Sequence, residues 1–103
     1  MRKNLYSDYA SRSLTWYIRN PDKREHLDGC TKAERLNWEC CDRVFRALPK
    51  HEQGILIDIY RQPFEDFKAA VDAAAQVRGI SPNTVWRLID RVMQTFAKDR
   101  GLI

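Results

Sequence analysis

Histidine is nearly absent from this chain, with two in 103 residues. HExxH, GxSxG and GxxxxGK are missing as well, so zinc-hydrolase, serine-hydrolase and P-loop chemistry have no framework to stand on. The chain is therefore not expected to be an enzyme, and no cofactor is expected. No apolar run approaches the roughly 20 residues that a membrane span needs. The opening MRKNLYSDYASR carries basic residues without the apolar stretch of a signal peptide. A cytoplasmic protein with no membrane partner is the expectation. Cysteine is sparse, with three residues, and Cys40 and Cys41 are adjacent, a spacing that seldom closes a disulfide. His26, Cys30, Cys40, Cys41 and His51 match no zinc-ligand spacing, so no metal is expected. Internal repeats and low-complexity segments are missing too.

What remains is enough for one modest core: 44% of the residues are hydrophobic and 31% charged. The net charge is +4 and the sequence pI near 9.1, an excess that permits a polyanion partner without requiring one. Distribution says more than the total. Residues 63–81 carry Lys68 and Arg78 against Glu65, Asp66 and Asp72, whereas residues 82–103 carry Arg87, Arg91, Lys98 and Arg100 against Asp90 and Asp99.

In chain order, Tyr6 to Arg19 reads as an amphipathic helix. Leu5, Tyr9, Trp16, Ser13, Tyr6, Tyr17, Ala10 and Leu14 sweep an arc of about 180°, with Ser11, Thr15, Asp8, Arg19 and Arg12 opposite. Such an aromatic face is usually core; a dimer or partner-docking face is the alternative. Asn20-Pro21 ends the helix, and residues 21–30 read as a charged loop with a turn at Asp28-Gly29 and a solvated His26. Thr31 with Glu34 has capping-box spacing for a helix over Lys32 to Leu48. That helix is apolar over roughly 200° through Leu36, Ala33, Cys40, Val44, Leu48, Cys41, Phe45 and Trp38, so it should be packed on two sides, bridging the N-terminal helix and the C-terminal half. Cys40 and Cys41 become small core residues. Pro49 suits the first turn of the next helix, over 49–61, where ILIDIY would be a strand on propensity alone but has nothing to pair with. Gln62-Pro63 breaks the chain, and Phe64, Phe67, Val71, Ala74 and Ala75 line one face of the helix that follows. Glu65-Asp66 and Asp58 read as turn and solvent-facing charges.

These elements give an all-α fold of four to five helices. Residues 1–30 form an N-terminal aromatic-rich helix and loop, and residues 31–103 a helical domain with a helix-turn-helix at about 66–99. The turn is marked by Ala75, where the two helices come closest, Gly79, which supplies positive φ, and Ile80 and Val85, which pin the second helix to the first. Ser81 is a natural N-cap and Pro82 a natural first helical residue. From Pro82 on, Val85, Leu88, Ile89, Val92 and Phe96 face inward. Asn83, Arg87, Asp90, Arg91, Gln94 and Lys98 face outward. Arg pairs with guanine O6 and N7, and Asn or Gln with adenine N6 and N7, each worth about 1 to 3 kcal/mol of discrimination. The helix N-terminus at Ser81 and Asn83 is expected to offer N–H groups to a phosphate. Trp86 lies on a flank, to pack across the helix pair or to touch sugar or a thymine methyl. Most polar helix faces are plain solvated surface, and Asp90 suits that reading; the A-x-x-x-G-I-S turn favours DNA.

The pattern Leu48-Pro49, Glu52 and Ile55-Leu56, followed by Ala75, Gly79-Ile80-Ser81 and Thr84-Val85-Trp86-Arg87, resembles the fourth region of sigma-70-like factors. The ending Phe96-Ala97 to Arg100-Gly101-Leu102-Ile103 resembles small phage regulators of the ArpU and RinA kind. The resemblance implies duplex DNA binding in the major groove through the helix starting at Pro82, carried by Ser81, Asn83, Thr84, Trp86, Arg87 and Arg91; the outward face adds Gln94 and Lys98. The expectation is a sequence-specific transcriptional regulator, phage or prophage encoded, that recognises DNA without opening it. RNA polymerase and a second copy of the chain are candidate partners, a dimer requiring half-sites about one helical turn apart. The alternatives are a helical protein-interaction adaptor docking through the aromatic N-terminal helix, and a DNA-packaging protein like a terminase small subunit.

Overall fold

Five helices form where the caps and periodicities direct them: α1 (Leu5–Arg19), α2 (Lys32–Arg46), α3 (Lys50–Tyr60), α4 (Phe67–Arg78) and α5 (Pro82–Arg100). They are seen in a computed structural model that describes residues 5–20, 29–61 and 67–102, with side chains from Tyr9 onward. There is no strand among the described residues, so the fold is all-α. The expected loop histidine His26, the Gln62-Pro63 break, Phe64 and Glu65-Asp66 lie outside the described residues, as do the side chains of Leu5, Tyr6 and Asp8.

The ends of the helices are set locally. At α2 the capping box is complete: the Glu34 N–H donates to the Thr31 hydroxyl and the Thr31 N–H to the Glu34 carboxylate, both at 3.1 Å. Pro49 stands one position earlier than expected, at the cap of α3 rather than in its first turn. Its ψ of 153° is extended, and its carbonyl accepts from Glu52 and Gln53 at 3.0 Å each. ILIDIY is helical, as the lack of a pairing strand requires. Helix α4 ends in a Schellman turn in which Gly79, at φ +66°, lets the Ile80 N–H reach the Ala75 carbonyl at 3.0 Å and its own N–H reach Gln76 at 3.2 Å. Ser81 then caps α5 and Pro82 fills its first position.

Packing corrects the reading of α1. Its buried face is Ala10, Leu14 and Ile18 with Ser13 and Thr15, turned by about 90° from the aromatic arc. Thr15 can go inward because its hydroxyl donates to the Ser11 carbonyl at 2.7 Å, leaving no unmet polar group. Tyr9 is exposed, and its hydroxyl and the Asn37 side-chain amide of α2 bond each other. Tyr17 is half-buried and donates to Asp42 at 2.6 Å. Helix α2 does bridge, packing on α1 and on α5, but Ala33 and Leu36 of its apolar arc are exposed. Cys40 and Cys41 are fully buried and unbridged. The Cys40 thiol donates to the Phe96 carbonyl at 3.6 Å, and burial pushes its pKa up to about 11 and that of Cys41 further still.

Helix α5 is the common partner, with α1, α2, α3 and α4 all packed on it. Ala10, Leu14 and Ile18 of α1 share one core with Val71 and Ala75 of α4 and with Val85, Ile89, Val92 and Phe96 of α5. A bidentate ion pair from Arg43 to Asp99, at 2.6 and 3.1 Å, ties α2 to α5. Arg78, on the last turn of α4, reaches Asp58 of α3 at 2.6 Å and the Ala74 carbonyl at 3.2 Å.

Two outcomes follow from these contacts. A Cβ at Gly79 would meet no atom within 4 Å, so Gly79→Ala carries the left-handed backbone strain alone, about 1 to 2 kcal/mol. Urea unfolding should show that loss with native helix content by circular dichroism. The Arg43 guanidinium holds the Asp99 carboxyl below its ordinary value of 3.8. A carboxyl lowered in the folded state contributes stability that is present above that value and lost as pH falls through the folded one. The urea midpoints of the protein and of Arg43→Gln should therefore differ at pH 7 and converge as the pH is taken well below 3.8.

Candidate nucleic-acid interface

The outward face of α5 is open. Val85, Leu88, Ile89, Val92, Met93, Phe96 and Ala97 are buried against the other helices, and because a helix buries one side at a time, Asn83, Thr84, Arg87, Asp90, Arg91, Gln94 and Lys98 are exposed. Helix α1 does not cover this face; it meets α5 on the core side, where Tyr9 lies 6.3 Å from Phe96 between ring centroids.

The expected site residues take different positions on this face. Thr84, Arg87 and Arg91, spaced i, i+3 and i+7, line a groove of about 320 Å³ whose other wall is His51, Glu52 and Ile55 of α3, with Ile80 from the turn. Within it Arg91 donates to Glu52 at 2.6 Å. Arg87 and Lys98 have no acidic partner among the described residues. Gln94 donates to Asp90 at 3.2 Å, which fixes the amide beside a carboxylate that keeps its charge on this face.

Two of the expected contact points are engaged within the chain, and Trp86 packs across the helix pair as the first of its two expected roles has it. The Ser81 hydroxyl accepts from the Asn83 N–H at 3.1 Å, the Ser81 carbonyl accepts from Thr84 at 3.0 Å, and Pro82 has no N–H. The first turn of α5 therefore satisfies its own donors and does not hold them open for a phosphate. Trp86 is half-buried, with its ring 5.7 Å from Phe67, which in turn lies 5.5 Å from Tyr60. That ring chain seals α3, α4 and α5 together, so most of the indole serves the helix pair.

His51 and Glu52 are the site residues that reasoning along the chain missed. Glu52 and Arg91 are 39 positions apart, and no local pattern announces such a pair. The one available signal was that 51, 52 and 55 share a face of α3, as 84, 87, 88 and 91 share one of α5.

No helix among the described residues is long and apolar enough to cross a membrane. No protein-family model matches the chain, and no curated protein or solved structure matches it.

Trp86 separates packing from recognition. Trp86→Ala should lower stability by about 2 kcal/mol, as a half-buried aromatic leaving its ring partner does, while Thr84→Ala on the open face should stay within about 0.5 kcal/mol. Chemical denaturation of the two variants measures both.

Proposed function

We propose that this chain is a sequence-specific double-stranded DNA-binding protein that lays α5 in the major groove, and that it regulates transcription in the manner of the small phage regulators it resembles. The observation that carries the reading is the exposed stripe Arg87, Arg91, Gln94 and Lys98 on a helix whose entry is fixed by the Gly79 turn and the Ser81 cap. A stripe of two guanidiniums, an amide and an ammonium has the donors that base edges and phosphates accept. The basic excess of the chain supplies long-range attraction for a polyanion.

Helix α1 gives less support to an adaptor role, since Ala10, Leu14 and Ile18 are engaged in this chain's own core. A DNA-packaging role would use the same stripe and is separated from regulation by where the bound site lies.

The test is footprinting and gel shift on DNA flanking the gene, at graded salt. A protected site with affinity falling steeply as salt rises is expected. Arg87→Ala should weaken that site by about tenfold or more and relax preference at one base pair, whereas Lys98→Ala should weaken all sequences alike and reduce the salt slope by about one. Glu52→Gln removes a carboxylate from the groove and should shift retention on duplex DNA to higher salt. Absence of salt-sensitive retention on any duplex would overturn the proposal.

A further inference from the structure

A second cavity, of about 250 Å³, lies on the opposite side of α3, between α1, α2 and α3. Tyr17, Trp38, Phe45 and Ile57 form its apolar walls. The Tyr17 ring meets Trp38 at 5.3 Å and Phe45 at 5.7 Å, both edge to face. Trp38 is 6% exposed, and its indole N–H is buried without a hydrogen-bond partner. The indole therefore stands as a fixed wall, and its buried N–H reports on what the ring touches.

Charge decides what kind of ligand fits. Among the described residues Asp42 is the one carboxylate lining the cavity, and it is already engaged, accepting from the Tyr17 hydroxyl at 2.6 Å and from Arg46 Nε at 2.9 Å. Arg61, exposed at the end of α3, lines the same cavity and has no acidic partner among the described residues. Aromatic walls beside a carboxylate would suit a quaternary ammonium, but here the carboxylate is neutralised by Arg46 and Arg61 leaves an excess of positive charge. The volume sits just below the roughly 300 Å³ at which ordinary ligand pockets begin, which limits the occupant to one or two rings.

We infer that this cavity binds a small aromatic carboxylate, its ring held among Tyr17, Trp38, Phe45 and Ile57 and its anionic group on Arg61. The site shares no residue with the α5 stripe, and its test reads neither DNA binding nor regulation.

The probe is 2-naphthoate, titrated into the full chain while the indole N–H signals of Trp16, Trp38 and Trp86 are followed by proton–nitrogen correlation NMR. A saturable shift of the Trp38 signal with Trp86 unmoved is expected. Arg61→Gln, an exposed substitution, should weaken binding about tenfold or more, as loss of a charged hydrogen bond does. The neutral 2-naphthamide should bind weaker by a similar factor. Ile57→Trp should fill the space and abolish the shift while helix content stays native. No saturable shift, equal movement of all three indole signals, or a shift unchanged by Arg61→Gln would each overturn the inference.

Discussion

Everything in this fold leans on the apolar stripe of α5. Its N-terminal half, from Val85 to Ile89, belongs to the helix pair, with Trp86 against Phe67. Its C-terminal half, from Val92 to Ala97, is held by α1 and α2, with Phe96 beside Tyr9 and the Phe96 carbonyl taking the Cys40 thiol. A single helix with one buried side thus serves two pairs of helices in succession. The reverse side is left uncovered because all four partners are spent on the buried one. An exposed stripe on a helix so clamped along its length is presented at a fixed rotation.

The ion pairs set that rotation more than they set stability. Arg43–Asp99, Arg78–Asp58 and Arg91–Glu52 each join two helices across exposed surface, where such pairs are worth about 0 to 1 kcal/mol. Core burial contributes more, at about 1.5 to 3 kcal/mol for each fully buried large apolar side chain. Apolar packing alone tolerates small rotations of a helix about its axis. Arg43 and Asp99 at two contact points, and Arg100 Nε on the Asn37 side-chain oxygen at 2.8 Å, narrow that freedom at the far end of α5, while Glu52 on Arg91 narrows it at the middle.

Local signals in the sequence were reliable where the physics is local. The capping box at Thr31 and Glu34, the positive φ at Gly79, and the Ser81-Pro82 start of α5 all depend on residues within a few positions of one another, and each was legible. The buried face of α1 was legible only in part, through Ala10, Ser13 and Leu14. Aromatic content pointed toward Tyr9 and Trp16, whereas Thr15, with its hydroxyl returned to the backbone, and Ile18 go inward instead. Aromatic rings with a polar atom, such as Tyr9 and Tyr17, settle at the edge of a core where the hydroxyl finds a side-chain partner. The open face of α5 was legible for the opposite reason, since its polar residues recur at helical spacing with nothing apolar between them. Its pairing with Glu52 was not, because a contact between distant helices leaves no trace in either helix alone.

That pairing changes what the stripe presents. Arg87, Arg91, Gln94 and Lys98 fall at i, i+4, i+7 and i+11, within about 60° of one another, and the outer two are about 16 Å apart along the axis. The ends carry uncompensated charge, and Arg91 between them is neutralised by Glu52. On the proposed reading Lys98, at the far end, suits a flanking phosphate and attracts any duplex, while Arg87, near the start of the helix, meets a base edge. Arg91 then acts differently from Arg87. To reach a base it must give up a 2.6 Å bond to Glu52, so only a base edge with two acceptors, as guanine has, returns what is lost. A mismatched base leaves Arg91 with Glu52, and the Glu52–Arg91 pair thereby converts an otherwise indiscriminate cation into one that favours a particular edge.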